Sequence, residues 1–143
     1  MLFKRPIAVR YHADIAELEQ LRKSDWIDLR TAENIEMQRG GFRYISLGVS
    51  MKLPKGYEAI IAPRSSTFEK YGIIQANGIG IIDNSYCGED DIWYFPALAI
   101  RDTVIPMFSR ICQFRIQRIQ PRIAFYKGNL SKKNRGGLGS TGI

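Results

Sequence analysis

The feature that most constrains this chain is its alternation of short apolar runs with turn signals. From residue 42 onward, the segments 42–51, 57–62, 73–76, 92–95, 97–100, 110–116 and 122–126 each carry strand-like apolar residues. Between them stand Pro54-Lys55-Gly56, Asn77-Gly78, Pro106 and Pro121. Such runs suit strands and are too short for ordinary helices. Closely spaced strands with frequent turns predict an all-β fold, a jelly-roll-like β-barrel built from antiparallel strands. With 143 residues there is room for one core. The expected division is a β-barrel domain over 1–130 and a glycine-rich C-terminal arm over 131–143.

One or two short helices should interrupt the strands. Ile15, Leu18 and Leu21 recur at helical spacing, and Asp14 can cap the start, which predicts a helix over 13–22. Ser66 and Glu69 fit a capping box and Gly72 fits a stop, which predicts a helical turn between them. Residues 128–142 hold five glycines and almost no apolar side chains, so the arm should be mobile when alone.

Composition narrows the function classes. No apolar run approaches the roughly 20 residues of a membrane span, and the start of the chain is too soon polar for a secretory signal. A soluble, cytoplasmic protein is expected, with no membrane partner. The formal net charge of +7 favours an anionic partner. Lys132, Lys133 and Arg135 cluster beside the glycines of the tail, which suits a small phosphate-rich ligand. No basic stripe interleaved with aromatics marks a single element, so no nucleic-acid partner is expected. Cys87, Cys112 and His12 are too few for a Cys/His zinc site. A reducing compartment argues against a disulfide between the two cysteines.

Three segments can carry chemistry. Pro63-Arg64-Ser65-Ser66 joins a guanidinium and two hydroxyls at the start of a helical turn, an arrangement that is either an anion site or a plain cap. The segment 77–88 holds Asn77-Gly78, then Ile81-Ile82 followed by Asp83. A hairpin there would present main-chain groups and an amide able to read the edge of a base. Asp83 at the end of a rigid strand can activate water, or can simply be a turn aspartate. In the third segment, Arg135-Gly136-Gly137-Leu138-Gly139-Ser140-Thr141-Gly142, glycines permit close approach to phosphates while Arg135, Ser140 and Thr141 donate. The alternative is a basic, disordered tail. It is not a P-loop, because GK[ST] is missing.

In order, spacing and length these segments resemble the trimeric dUTPase family, from about Asp25 to Gly142. Five motifs can be placed. Trp26-Ile27-Asp28-Leu29 is similar to the first, 63–66 to the second, 77–88 to the third, Arg110-Ile111-Cys112-Gln113 to the fourth and 136–142 to the fifth. The details resemble the branch found in Bacillus-type bacteria and their phages. The resemblance implies Mg²⁺-dependent hydrolysis of dUTP to dUMP and pyrophosphate, by water attack on the α-phosphorus. It implies that Asp83 activates the water, that Asn77 reads uracil, and that Tyr86 packs on the deoxyribose. Arg64, Ser65, Ser66, Gln113, Arg135, Gly137, Ser140 and Thr141 would bind phosphate, Ile82 would line the substrate site, and Asp28 would hold magnesium through water. It also implies a homotrimer whose sites are shared between subunits.

The departures are specific. Trp26 stands where a small residue is usual. Phe108-Ser109 replaces a Gly-Asp turn before the fourth motif. Lys133 takes the place of an arginine ahead of the glycine pair, and Leu138 that of a phenylalanine lid. Leucine cannot stack on uracil as a ring does. Alternation puts Tyr94 and Ile92 on one face and Trp93 and Phe95 on the other, so Tyr94 is the expected lid and Trp93 the second choice. Two rivals remain: a dCTP deaminase of the same fold, with Glu89 as the added acid–base group, and a phage regulatory protein that binds a host partner.

Overall fold

The computed structural model describes residues 4–139. Its elements in chain order are β1 (Ala8–Tyr11), β2 (Ile27–Arg30), β3 (Ile35–Met37), β4 (Phe42–Ser46), β5 (Val49–Lys52), β6 (Tyr57–Pro63), α1 (Thr67–Tyr71), β7 (Ile73–Gln75), β8 (Gly80–Ile82), β9 (Tyr94–Ala99), β10 (Thr103–Ile105) and β11 (Arg110–Arg118). The strands form a four-stranded sheet β2-β11-β6-β8, a three-stranded sheet β4-β9-β7, and the pairs β1-β5 and β10-β3. Every pairing is antiparallel. The all-β, jelly-roll-like expectation holds, with a single short helix among the described residues.

The sheets enclose one core. Alternation works as a half-buried strand requires: Ala59 and Ile61 of β6 point inward, as do Phe95, Ala97 and Ala99 of β9. Trp93 and Phe114 meet edge to face at 5.2 Å near its centre. β9 runs straight through Pro96, although 92–95 and 97–100 read as two runs. The carbonyl of Pro96 accepts from Ala76, just past the end of β7. The N–H that proline lacks would point to that same side, where the ladder already stops.

Three expectations fail here. The run 42–51 is two strands, because Gly48 at φ 68° turns the chain between β4 and β5; a Cβ there would lie 2.8 Å from that of Ala32. The segment 13–22 is not a helix. The Leu18 N–H donates to the Tyr11 hydroxyl (2.8 Å) and the Ile15 N–H to the Ala13 carbonyl. Ile15 and Leu18 still pack on the core, but as an irregular cover. A ten-residue helix is marginal on its own, and these tertiary ties replace its ladder. Residues 122–126 form no strand either. Phe125 and Tyr126 are almost fully exposed, and β11 ends before Pro121.

The capping box at Ser66 also fails, since its side chain makes no cap bond. The neighbouring Thr67 takes over. Its Oγ1 accepts from the Arg64 N–H (2.9 Å) and donates to the Ile111 carbonyl (2.8 Å). Gly72 does end the helix, at φ 63°, with its N–H on the Phe68 carbonyl.

Candidate active site

Pairing of β2 with β11, and of β11 with β6, brings three of the motifs side by side. Gln113 stands opposite Asp28 on one side and Ala62 on the other. Arg64 follows β6 and reaches back: its Nε lies 3.0 Å from Asp28 Oδ1. Arg110 Nη1 is 3.6 Å from the other carboxylate oxygen. Asp28 thus sits between two guanidiniums, and its side chain is only about a quarter exposed (26%). Gln113 Nε2 donates to the Pro63 carbonyl (3.1 Å), which leaves its second amide hydrogen for a ligand. The result is a cationic end of the sheet with preplaced donors. Ser65 is exposed beside it and Ser66 is half-buried. A cavity of about 90 Å³ adjoins this end, lined by Asp28, Arg30, Arg110 and the irregular cover.

Arg110 was given no role of its own from the sequence, although the Phe108-Ser109 turn before it stood out as a departure. That turn runs from Pro106 to Ser109, with Ser109 N–H and Oγ both on the Pro106 carbonyl. Phe108 adopts φ 70°, a left-handed conformation that a glycine takes freely. Arg30 Nη1 on the Phe108 carbonyl (2.9 Å) and the Phe108 N–H on Thr31 hold it there. A phenylalanine thus takes the left-handed position of this turn.

The third motif runs along β8 at the edge of the same sheet: Gly80 pairs with Ile61, so its Asn77 tip lies toward the Arg64 end, and its Asp83 lies at the other end. Asn77-Gly78 turns the chain with Gly78 at φ 75°, and the Gly78 N–H donates to Gln75. Asn77 is exposed at the tip. β8 then pairs with β6, Ile82 opposite Ala59. Asp83 emerges exposed just beyond, and Ile82 is half-buried behind it. Asn84 Nδ2 donates to the carbonyls of Pro54 (2.9 Å) and Tyr57 (2.7 Å), which fixes the chain directly after Asp83. A groove of about 810 Å³ opens here, lined by Lys55, Glu58, Asp83, Asn84, Arg122 and Phe125.

Tyr86 folds back over this loop. Its N–H donates to the Asp83 carbonyl and its hydroxyl to the Ile92 carbonyl (2.8 Å). Partial burial, then the nearby Asp91 and Tyr94, push its pKa above the usual 10.0. Tyr94 is exposed and meets Tyr44 edge to face at 6.4 Å. Trp93 is fully buried in the core, which excludes it as the second choice of lid. The Glu89 carboxylate lies 3.3 Å from Arg10 Nη1 and is exposed.

Within one chain the two ends do not meet. Asp83 stands at the level of Glu58, and Glu58 to Arg64 along β6 spans about 20 Å at roughly 3.3 Å per residue. Arg135 and Gly137 are exposed and bind neither end; Ser140 and Thr141 lie outside the described residues. Among the described residues no cluster of three or more metal-ligating side chains occurs. No helix there is long and apolar enough to cross a membrane.

Comparison with known proteins identifies the family. The chain is 48% identical, over 126 residues, to the SPbeta prophage-derived deoxyuridine 5'-triphosphate nucleotidohydrolase of Bacillus subtilis, covering 87% of this chain and 89% of that one. Its fold matches the dUTPase of Staphylococcus bacteriophage 80alpha, solved with dUpNHpp, at a TM-score of 0.79 and 17% identity, over 98% of this chain and 100% of that one. It also matches the dUTPase of phage phi11 of S. aureus, whose structure details the coordination of a structural Mg(II) ion, at a TM-score of 0.75 and 16% identity, over 86% and 97%. The dUTPase family model matches residues 20–142, and with the prophage relative it shows that this chain belongs to the dUTPase family.

Proposed function

We infer that the chain hydrolyses dUTP to dUMP and pyrophosphate at sites built between copies of itself. The observation that supports this reading is the separation along β6. A cationic, donor-rich end suits a triphosphate, and a carboxylate-bearing end suits water activation. They lie about 20 Å apart in one chain, so a site using both needs a neighbour. We propose a homotrimer with three shared sites, in which residues 131–143 of one subunit close a site formed by others. An arm of about 13 residues reaches roughly 40 Å when extended. Segment 122–126, exposed and unpaired here, would lead that arm off the barrel.

In this mechanism Asp83 takes a proton from a water that attacks the α-phosphorus. The bond from that phosphorus to the bridging oxygen breaks, and pyrophosphate leaves. Arg64, Ser65, Ser66, Gln113, Arg135, Gly137, Ser140 and Thr141 spread the phosphate charge, the kind of preplaced stabilisation that often dominates catalysis. Asn77 and the hairpin main chain read uracil, because a cytosine would leave buried polar groups unpaired. Tyr86 packs on the deoxyribose, Ile82 lines the site and Tyr94 covers the base in place of Leu138.

The donor set bears on magnesium. One carboxylate already flanked by two arginines is no cage for a resident ion. It fits an ion that arrives on the triphosphate, keeps its waters, and meets Asp28 through one of them. Bound so, Mg²⁺ would neutralise phosphate charge. A cytoplasmic setting, with its reducing pool, suits the free thiols of Cys87 and Cys112. Glu89 stands exposed beside Arg10 rather than in a built site, and the 48% identical relative is a nucleotidohydrolase, which favours hydrolysis over the deaminase reading.

The test is pyrophosphate release from dUTP, UTP, dCTP and dTTP, with Asp83→Asn alongside. The parent protein should prefer dUTP, and the variant should stay folded while losing about 10³-fold in turnover, the scale of a lost general base. Undiminished turnover by Asp83→Asn, or ammonia released from dCTP, would overturn the reading.

A further inference from the structure

The single histidine of the chain has no part in the mechanism above, yet it is tied to the loop that carries Tyr86. His12 follows β1, with its N–H on the Gly48 carbonyl (2.7 Å). Its Nε2 lies 2.8 Å from Ser50 Oγ, and that oxygen lies 2.7 Å from the Glu89 carbonyl. Ser50 is buried on β5 (2% exposed). Proton accounting fixes the direction. A carbonyl only accepts, so the one hydroxyl hydrogen of Ser50 goes to Glu89, and His12 must therefore donate from Nε2 to Ser50.

This chain of bonds holds the middle of the loop 84–92, and β5 holds its exit: the Trp93 N–H donates to the Val49 carbonyl (2.8 Å). Between these two anchors lies Ile92, whose carbonyl receives the Tyr86 hydroxyl. Within the loop, the Gly88 N–H donates to the Asp91 carboxylate (2.8 Å). The ion pairs of Arg10 with Glu89 and Asp90, both 3.3 Å and exposed, add little. The buried hydroxyl is the strong tie.

We propose that His12 and Ser50 are positioning residues for sugar selectivity: they set the height of loop 84–92, and so the depth at which the Tyr86 ring meets the sugar. This rests on the reading of Tyr86 as the deoxyribose contact. A ring held at the right depth excludes a 2′-hydroxyl by contact. A loop free to shift by a fraction of an ångström admits it.

The experiment compares kcat/KM for dUTP and UTP. Ser50→Ala should lower the dUTP/UTP ratio about tenfold, the scale of one lost hydrogen bond. His12→Leu should do the same, because it leaves Ser50 without its donor. His12→Gln, whose amide can still donate, should restore most of the ratio. Thr103→Ala, which removes a 2.6 Å bond to the Tyr71 carbonyl on the far pair β10-β3, controls for simple destabilisation: it should lower the melting temperature and leave the ratio unchanged. Tyr86→Ala separates the two ideas. If it collapses the ratio while Ser50→Ala and His12→Leu leave it intact, the positioning proposal is wrong and the sugar contact stands. If Tyr86→Ala leaves the ratio intact, the sugar contact and the proposal both fall. A Thr103→Ala ratio that drops as far as that of Ser50→Ala also overturns it.

Discussion

Thr67→Val probes how the turn proposed to bind phosphate is held to the sheet. Thr67 is fully buried (0% exposed), and its one hydroxyl serves both the Arg64 N–H and the Ile111 carbonyl. Valine keeps the shape and removes both bonds. The Ile111 carbonyl, buried, and the Arg64 N–H, part-buried, would be left unsatisfied, each costing about 1–3 kcal/mol. Relief from burying the hydroxyl offsets part of that, which leaves about 2–4 kcal/mol. Against a domain stability of about 5–15 kcal/mol this is a large loss. Urea unfolding at fixed chain concentration measures it, since assembly shifts apparent stability. Arg64 and Ser65 ride on the same turn, so kcat/KM for dUTP should fall about tenfold as the turn loosens. Thr67→Ser keeps the hydroxyl and loses one methyl, worth about 1 kcal/mol. A valine variant within about 0.5 kcal/mol of the parent, a difference typical of neutral surface sites, would refute the reasoning. So would a serine variant as damaged as the valine.

The two cysteines should behave oppositely. Cys87 is exposed and Cys112 buried, so a thiol reagent should find one fast group per native chain and the second only on unfolding. Burial first, and then the Asp28 charge, raise the Cys112 pKa well above the usual 9.0, with Arg64 opposing. The unfolded chain therefore loses this proton first. Its contribution to stability is complete below about pH 9 and is lost as pH rises further, at up to about 1.4 kcal/mol per pH unit; Cys112→Ala should flatten that slope in urea titrations from pH 8 to 10.5. Deleting residues 131–143 should leave a folded assembly by gel filtration with greatly reduced turnover, and unchanged turnover would remove the arm from the site. Tyr94→Ala should raise KM for dUTP about tenfold, on the scale of a lost base stack, and an unaltered KM would mean that another group covers the base.

Much of the barrel was legible because its long strands alternate. β6 and β11 stand out in the amino-acid pattern, with Ala59, Ile61 and Phe114 facing the core. β1, β2, β3 and β10 were not legible: each has three or four residues, and only long-range pairing makes them strands. Of the helix-spaced Ile15, Leu18 and Leu21, the first two pack on the core as an irregular cover pinned through the Tyr11 hydroxyl, while Leu21 stays exposed. Candidate site residues could be named from the sequence, but not their mutual position. Asp28 between Arg64 and Arg110 depends on β2 lying beside β11, which no local pattern encodes. Alternation did sort Trp93 from Tyr94; only burial showed that Trp93 belongs wholly to the core.

Strand β6 has Arg64 at one end and Asp83 beside the other. If the two ends serve different sites, each chain is half a donor to one neighbour and half a donor to another. Defects at opposite ends are then separable by ancestry rather than by dose. A chain carrying Asp83→Asn and a chain carrying Arg64→Ala would each be silent alone. Unfolded together and reassembled, they would form mixed assemblies in which some sites draw an intact Asp83 from one parent and an intact Arg64 from the other. Activity would reappear from two dead proteins, and the other sites in those assemblies would carry both lesions at once.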